Sequence, residues 1–200
     1  MHMIHSHSKT PLNRIWFLAR GYRKHPCYNL WAHEGCAWFV SAYGQRLMHI
    51  YSPYSRKKQT KRGYYAPCMR QFGSRTCHTL MGEIFYGERP TFINSTGKPY
   101  VGICHHLIND LLDYSPDNLL CWLTRAEHTK ADKRRRLLES VVPNGNLRVF
   151  TYARLRYLQD PRILSDDDFE KELAAIRQKG YHLIDPAERM EYDMTHHMEC

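Results

Sequence analysis

Residues 104–128 read Cys104-His105-His106-Leu107-Ile108-Asn109-Asp110-Leu111-Leu112-Asp113-Tyr114-Ser115-Pro116-Asp117-Asn118-Leu119-Leu120-Cys121-Trp122-Leu123-Thr124-Arg125-Ala126-Glu127-His128. A polar turn is bracketed by a histidine pair on one side and by an asparagine and a third histidine on the other. The approach, Tyr100-Val101-Gly102-Ile103, predicts a short strand delivering His105 and His106, somewhat weakened by Gly102. Adjacent strand residues face opposite ways, so both histidines serve one site only where the strand ends or twists, and the polar stretch 109–117 supplies that end. Residues 119–123 predict the returning strand. Thr124 and Glu127 have the spacing of a capping box, so a helix begins at Arg125 and His128 sits in its first turns.

These residue types suit one chemistry. Hydrolysing a phosphodiester requires a base for water, a cation for the charge on phosphate and leaving oxygen, and a scaffold that fixes both. A neutral imidazole, titrating near 6.5, serves as base at neutral pH. Two further imidazoles hold a divalent ion while leaving coordination positions open for phosphate and water.

The segment resembles the ββα-metal finger of HNH (His-Me finger) endonucleases, especially the phage-type homing or free-standing subfamily. Members typically read D/H-H-I-D-G, then a loop, then N-L-x-W-x-T-x-x-E-N/H. His105-His106 matches the opening pair, Asn118-Leu119 the central Asn-Leu, and Trp122, Thr124 and Glu127-His128 the remainder. Upstream, residues 78–85 (His-Thr-Leu-Met-Gly-Glu-Ile-Phe) are similar to the H-R-L-V-A-E-A-F helix that commonly precedes the finger, so the resemblance covers about residues 76–135. Two departures stand out: Asn109-Asp110 replaces the usual Asp-Gly, and one extra residue lies between Asn118 and Trp122.

The resemblance implies roles residue by residue. His106 resembles the general base, Asn118 the central asparagine that braces the loop so the base points correctly, His105 the first metal ligand and His128 the second. Asp110 and Asp132 stand next in line if His128 does not ligate. The implied cofactor is one divalent ion, Mg2+ or Mn2+, with Ni2+ or Co2+ also in range, and no small-molecule cofactor. The implied partner is double-stranded DNA, in a bacterial or phage-infected cell.

Composition agrees with a polyanionic partner. The formal charge is +9 and the isoelectric point is about 9.2, and Lys and Arg contacts to phosphate dominate nucleic-acid affinity. Two clusters are candidates for DNA contact. One is Arg56, Lys57 and Lys58; the other follows the finger as Arg125, Lys130, Lys133 and Arg134, with Lys130 and Arg134 one turn apart on a helix face. A solvated charged surface is the bland alternative for both. Two other function classes share these features: a non-catalytic DNA-binding module, and an RNA-directed binder or nuclease using the chain's 14 tyrosines for stacking.

Two hundred residues suffice for one domain or two small ones. The sequence contains no run of about 18 apolar residues and no apolar core of a signal peptide, which predicts an intracellular, cytoplasmic protein with no membrane partner. Seven dispersed cysteines without a Cys-x-x-Cys pair predict free thiols. A structural zinc on Cys68, Cys77, Cys104 and Cys121 lacks a supporting spacing.

The predicted fold class is α+β. A flexible tail over residues 1–11 precedes a β-rich module over 12–75, a nuclease core over 76–140 and a mixed, partly helical appendage over 141–200. Within the β-rich module, residues 12–24 have the spacing of a basic amphipathic helix, and residues 37–40, 46–51 and 64–70 read as strands. In the appendage, Asn144-Gly145 predicts a turn between strand-like runs at Val141-Val142 and 147–152, and Ser165 opens a helix over 165–179 closed by Gly180.

Overall fold

Helices and short antiparallel strands mix along the chain, giving the expected α+β class in the computed structural model, which describes residues 13–35, 39–41 and 75–179. The runs 46–51 and 64–70 and the basic residues Arg56, Lys57 and Lys58 lie outside the described residues. Two units emerge. One takes in the described residues up to Arg89 together with Asp110–Leu119; the other takes in Pro90–Asn109 and the described residues from Leu120 on.

The first unit opens with α1 (Arg14–Leu18), capped by the Asn13 Oδ1, which accepts from the Ile15 amide at 2.9 Å. The expected helix over 12–24 is therefore only five residues long. Gly21 ends it, with φ 74 and a backbone so close to His33 that a Cβ would lie 3.0 Å from its Nε2. The chain then turns into β1 (Tyr22–Lys24), which pairs antiparallel with β2 (Leu30–His33), and β2 pairs with β3 (Phe39–Ser41). The residue this helix buries is Phe17, stacked on Trp31 at 4.4 Å; Ile15 and Leu18 stay exposed, and Trp16 packs half-buried beside them.

Helix α2 (Cys77–Phe85) lies against β1 and β2 and is buried on nearly every side, including the carboxylate of Glu83. That charge is tolerated because it is paired. Glu83 accepts from His25 Nε2 at 2.8 Å and from Arg75 Nε at 3.1 Å, while His25 Nδ1 accepts from the amides of Cys27 and Tyr28. Burial raises the pKa of Glu83, and the bonds from His25 and Arg75 outweigh it, leaving the group below its ordinary value.

In the second unit, β4 (Thr91–Ile93) and β5 (Pro99–Val101) form a hairpin in which Phe92 faces Tyr100. Asn94 organises its turn: the Oδ1 accepts from the Thr96 and Lys98 amides at 3.0 and 2.7 Å. Next come β6 (Ile103–His106) and β7 (Leu119–Leu123), paired as a two-stranded sheet, and then α3 (Arg125–Val141). The capping box read from the sequence is present: Thr124 Oγ1 accepts from the Glu127 amide, and Glu127 accepts from the Thr124 amide.

The strands expected around Asn144-Gly145 are absent, and this is a correction. Helix α3 runs through Val141, two 3-10 turns follow at Pro143–Gly145 and Leu147–Val149, and α4 (Tyr152–Gln159) begins at the end of the second expected strand. Burial decides it. Val142, Leu147, Phe150, Leu155 and Leu158 join Ala131 and Leu138 of α3 in one apolar cluster, and Thr151 caps α4 by accepting from the Arg154 amide. Helix α5 (Asp166–Lys179) starts as predicted, with Ser165 Oγ accepting from the Asp168 amide and Phe169, Leu173 and Ile176 buried, while Gly180, expected to close it, lies outside the described residues. No helix among the described residues is long and apolar enough to cross a membrane.

Candidate active site

Gly102 separates β5 from β6, and its missing side chain is what lets the backbone pass. A Cβ there would lie 3.2 Å from Pro90 Cγ and Cδ and from the Trp122 Cα. The extended segment thus breaks at Gly102, rather than running unbroken from Tyr100, and the four residues of β6 carry Cys104, His105 and His106 into buried positions. Cys104 Sγ lies 2.7 Å from Cys121 Sγ across the strand pair. The two are not joined in a disulfide, and burial raises the pKa of Cys121 well above its ordinary value.

Strand β7 has one unusual backbone position. Trp122 takes φ 63, a left-handed conformation uncommon for a residue with a side chain. Thr124 caps α3 three residues before Glu127.

His128, on the first turn of α3, comes to His105: the ring centroids are 5.4 Å apart and the planes are nearly perpendicular. Burial pushes the His105 pKa down to about 4, against a smaller opposing effect of its bond to Gln159. Burial also lowers that of His128, with the charge of Asp132 acting in the opposite sense. Both rings are thus neutral at pH 7 and carry lone pairs, which is what a metal ligand requires. Asp132 is one turn beyond His128; its carboxylate is engaged by Arg135 and Arg136 at 2.7 Å each. Among the described residues no group of three His, Cys, Asp or Glu side chains is gathered, and His105 with His128 supplies two imidazole donors, so a metal ion there would need its remaining ligands from elsewhere.

A depressed histidine pKa makes stability pH-dependent with a definite sign. His105 is uncharged in the fold at pH values where the unfolded chain binds a proton, so its contribution is complete above about 6.5 and is lost as pH falls toward about 4. In the presence of chelator, urea unfolding at pH 7 and pH 4.5 should show a loss of roughly 2–3 kcal/mol. The His105→Asn variant should lose most of that slope; an equal slope in both proteins would mean His105 is not neutral in the fold.

His106 is 5% exposed and occupies the end of β6 next to His105. Asn118 is fully buried and donates from Nδ2 to the Asp113 carbonyl at 2.8 Å, closing the loop between them. Asp113 accepts in turn from the Ser115 amide and hydroxyl, and Tyr86 Oη donates to the carbonyls of Pro116 and Leu119. Asp110 accepts from the Leu112 amide.

The basic residues separate into two kinds. Arg125 is exposed, with its guanidinium 4.7 Å from the centre of the Tyr100 ring, and Lys133 is exposed as well. Lys130 is exposed and pairs with Asp166 at 2.7 Å. Arg134 is different: its side chain is 4% exposed, donates to the carbonyls of Asp160 and Leu164 and to Asp166 Oδ1, and lies over the Phe169 ring. The face expected to pair Lys130 with Arg134 toward a ligand therefore presents only Lys130, because Arg134 is spent tying α3 to the segment that leads into α5.

One buried polar residue escaped the sequence reading. Gln159, at the end of α4 and fully buried, accepts from His105 Nε2 at 2.9 Å and donates to the Leu107 carbonyl at 2.9 Å. A lone glutamine 54 positions beyond the histidine has no motif to announce it.

Comparisons of the chain with family models, with curated proteins and with solved structures found no match.

Proposed function

We propose that the chain is a metal-dependent endonuclease of the HNH type, hydrolysing phosphodiester bonds of double-stranded DNA. The observation that carries this reading is the approach of His105 and His128, two neutral imidazoles 23 positions apart in sequence, next to a third histidine at the end of the same strand. The succession β6, β7, α3 with its capping box agrees with the ββα-metal finger that the sequence resembles.

In this reading His105 and His128 hold one divalent ion, which supplies charge stabilisation at the phosphate and the leaving 3′ oxygen. His106 takes a proton from the attacking water, which needs a base titrating near working pH. Asn118 holds the loop that closes on Asp113, and Arg125, Lys130 and Lys133 provide phosphate contacts. The Lys130–Asp166 pair is no obstacle, since an exposed ion pair contributes only about 0–1 kcal/mol.

The direct test is incubation of plasmid DNA with the protein and Mg2+ or Mn2+, with and without chelator, followed by end mapping. Chelator-sensitive cleavage leaving 5′-phosphate and 3′-hydroxyl ends is the expected result. Duplex binding without cleavage under any of Mg2+, Mn2+, Co2+ or Ni2+ would favour the non-catalytic binding module. Cleavage confined to single-stranded RNA would favour the RNA-directed alternative.

The ligand set also predicts metal preference. Two imidazoles are softer than the oxygen-rich sites suited to Mg2+, so Mn2+, Co2+ or Ni2+ should support cleavage at lower concentration. His128→Asn should retain activity and shift preference toward Mg2+, whereas His128→Ala should not. If both variants follow the parent across all four metals, His128 is not a ligand and Asp132 or Asp110 becomes the next candidate.

A further inference from the structure

The hydrogen bonds of Gln159 have only one consistent direction. The Leu107 carbonyl accepts and cannot donate, so the Gln159 amide nitrogen must face it, at 2.9 Å. The amide oxygen is then the atom 2.9 Å from His105 Nε2, and an oxygen there requires a proton on Nε2. The assignment does not depend on choosing between the two amide orientations, because the flipped glutamine would set its oxygen against the Leu107 carbonyl. Gln159 is fully buried and His105 is 3% exposed, so no solvent competes for either bond.

We propose that Gln159 is a positioning residue that locks His105 in its Nε2-protonated tautomer, making Nδ1 the nitrogen that binds a divalent cation. The inference rests on the reading of His105 as a ligand and goes beyond it by assigning the ligating atom and the residue that selects it. Metal-binding histidines ordinarily donate their second N–H to a carbonyl or carboxylate, which fixes ring orientation. Here that acceptor is a side-chain amide, itself anchored to the backbone one residue after the histidine pair. The strand that carries His105 and the glutamine that orients it are thereby tied into one unit.

The test uses the full chain labelled with 15N in its histidines, and long-range 1H–15N correlation, which distinguishes the two tautomers. His105 is assigned by its absence in His105→Asn. In chelator the expected spectrum has a protonated Nε2 and an unprotonated Nδ1; addition of Zn2+ as a diamagnetic probe should move Nδ1 and leave Nε2 protonated. Gln159→Leu should mix or invert the tautomers and weaken Zn2+ binding about 10- to 100-fold. Gln159→Glu keeps an acceptor for Nε2, and in its protonated form a donor for Leu107, so it should retain the tautomer and most of the affinity. A purely structural glutamine would change the melting temperature without changing which nitrogen is protonated. A proton on Nδ1 in the parent protein, or Zn2+ on Nε2, overturns the role of Gln159; this outcome needs no variant to fold. A protonated Nε2 with no Zn2+ response at either nitrogen overturns instead the reading of His105 as a ligand.

Discussion

His106→Ala is expected to lower the rate of metal-dependent DNA cleavage by about 10²- to 10⁴-fold, the range attributed to a positioned general base. Duplex affinity should stay within about twofold, because binding draws on phosphate contacts by Arg125, Lys130 and Lys133 rather than on a buried imidazole. Single-turnover cleavage and fluorescence anisotropy on the same DNA separate the two quantities. Retained cleavage in a folded His106→Ala protein would remove the base from the mechanism. Loss of binding in step with cleavage would instead place His106 among the structural residues of the strand end. His105→Ala should differ in kind, losing metal affinity together with activity, as calorimetry would report.

The second large effect is on stability. Arg134→Leu should cost roughly 1–3 kcal/mol, because the Leu164 carbonyl loses a buried donor, whereas the Asp160 carbonyl keeps the Ile163 and Leu164 amides. The stacking over Phe169 at 5.0 Å and the bond to Asp166 at 2.6 Å are lost as well. Lys133→Ala, one position away on the exposed side, should fall within about 0.5 kcal/mol of the parent. Urea unfolding at pH 7 compares the two. An Arg134→Leu protein as stable as the parent would show that its guanidinium is solvated in solution. The contrast fixes which residues to remove when counting phosphate contacts. Arg125→Gln, Lys130→Gln and Lys133→Gln combined should flatten the salt dependence of duplex binding by a slope of about 2–3, whereas a set containing Arg134 would confound binding with unfolding.

Much of the local structure around the histidines is written in short-range signals. The capping box of Thr124 and Glu127, the returning strand at Leu119–Leu123 and the Ser165 cap all act within a few residues, so their spacing announces them. What the sequence hid is decided over longer range. The apolar residues at 147–152 look like a strand, yet the cluster they complete with α3 and α5 places them in helical turns. The basic residues of α3 look equivalent in a helical projection, and partners far along the chain, the Asp160 and Leu164 carbonyls 26 and 30 positions away and the Phe169 ring, distinguish Arg134 from its neighbours. In the same way His105 and His128 could be paired from a motif, but the glutamine that orients the first of them could not. The five-residue α1 shows the opposite failure: helical periodicity over 12–24 was real as a pattern and was cut short by a glycine whose backbone must pass close to His33.

The apolar cluster that begins at Leu107 and ends at Ile176 draws on β7, on α3 and on both helices beyond it. Its consequence is that the histidine-bearing hairpin and helix are not a portable cassette. Excising them at the end of α3, or grafting them onto another scaffold, would strip the greasy underside of that helix and leave the imidazole of His105 without its amide acceptor. A transplant that travels successfully has to bring α4 and α5 as ballast, and directed shuffling of this chain should avoid crossing over between Leu107 and Ile176.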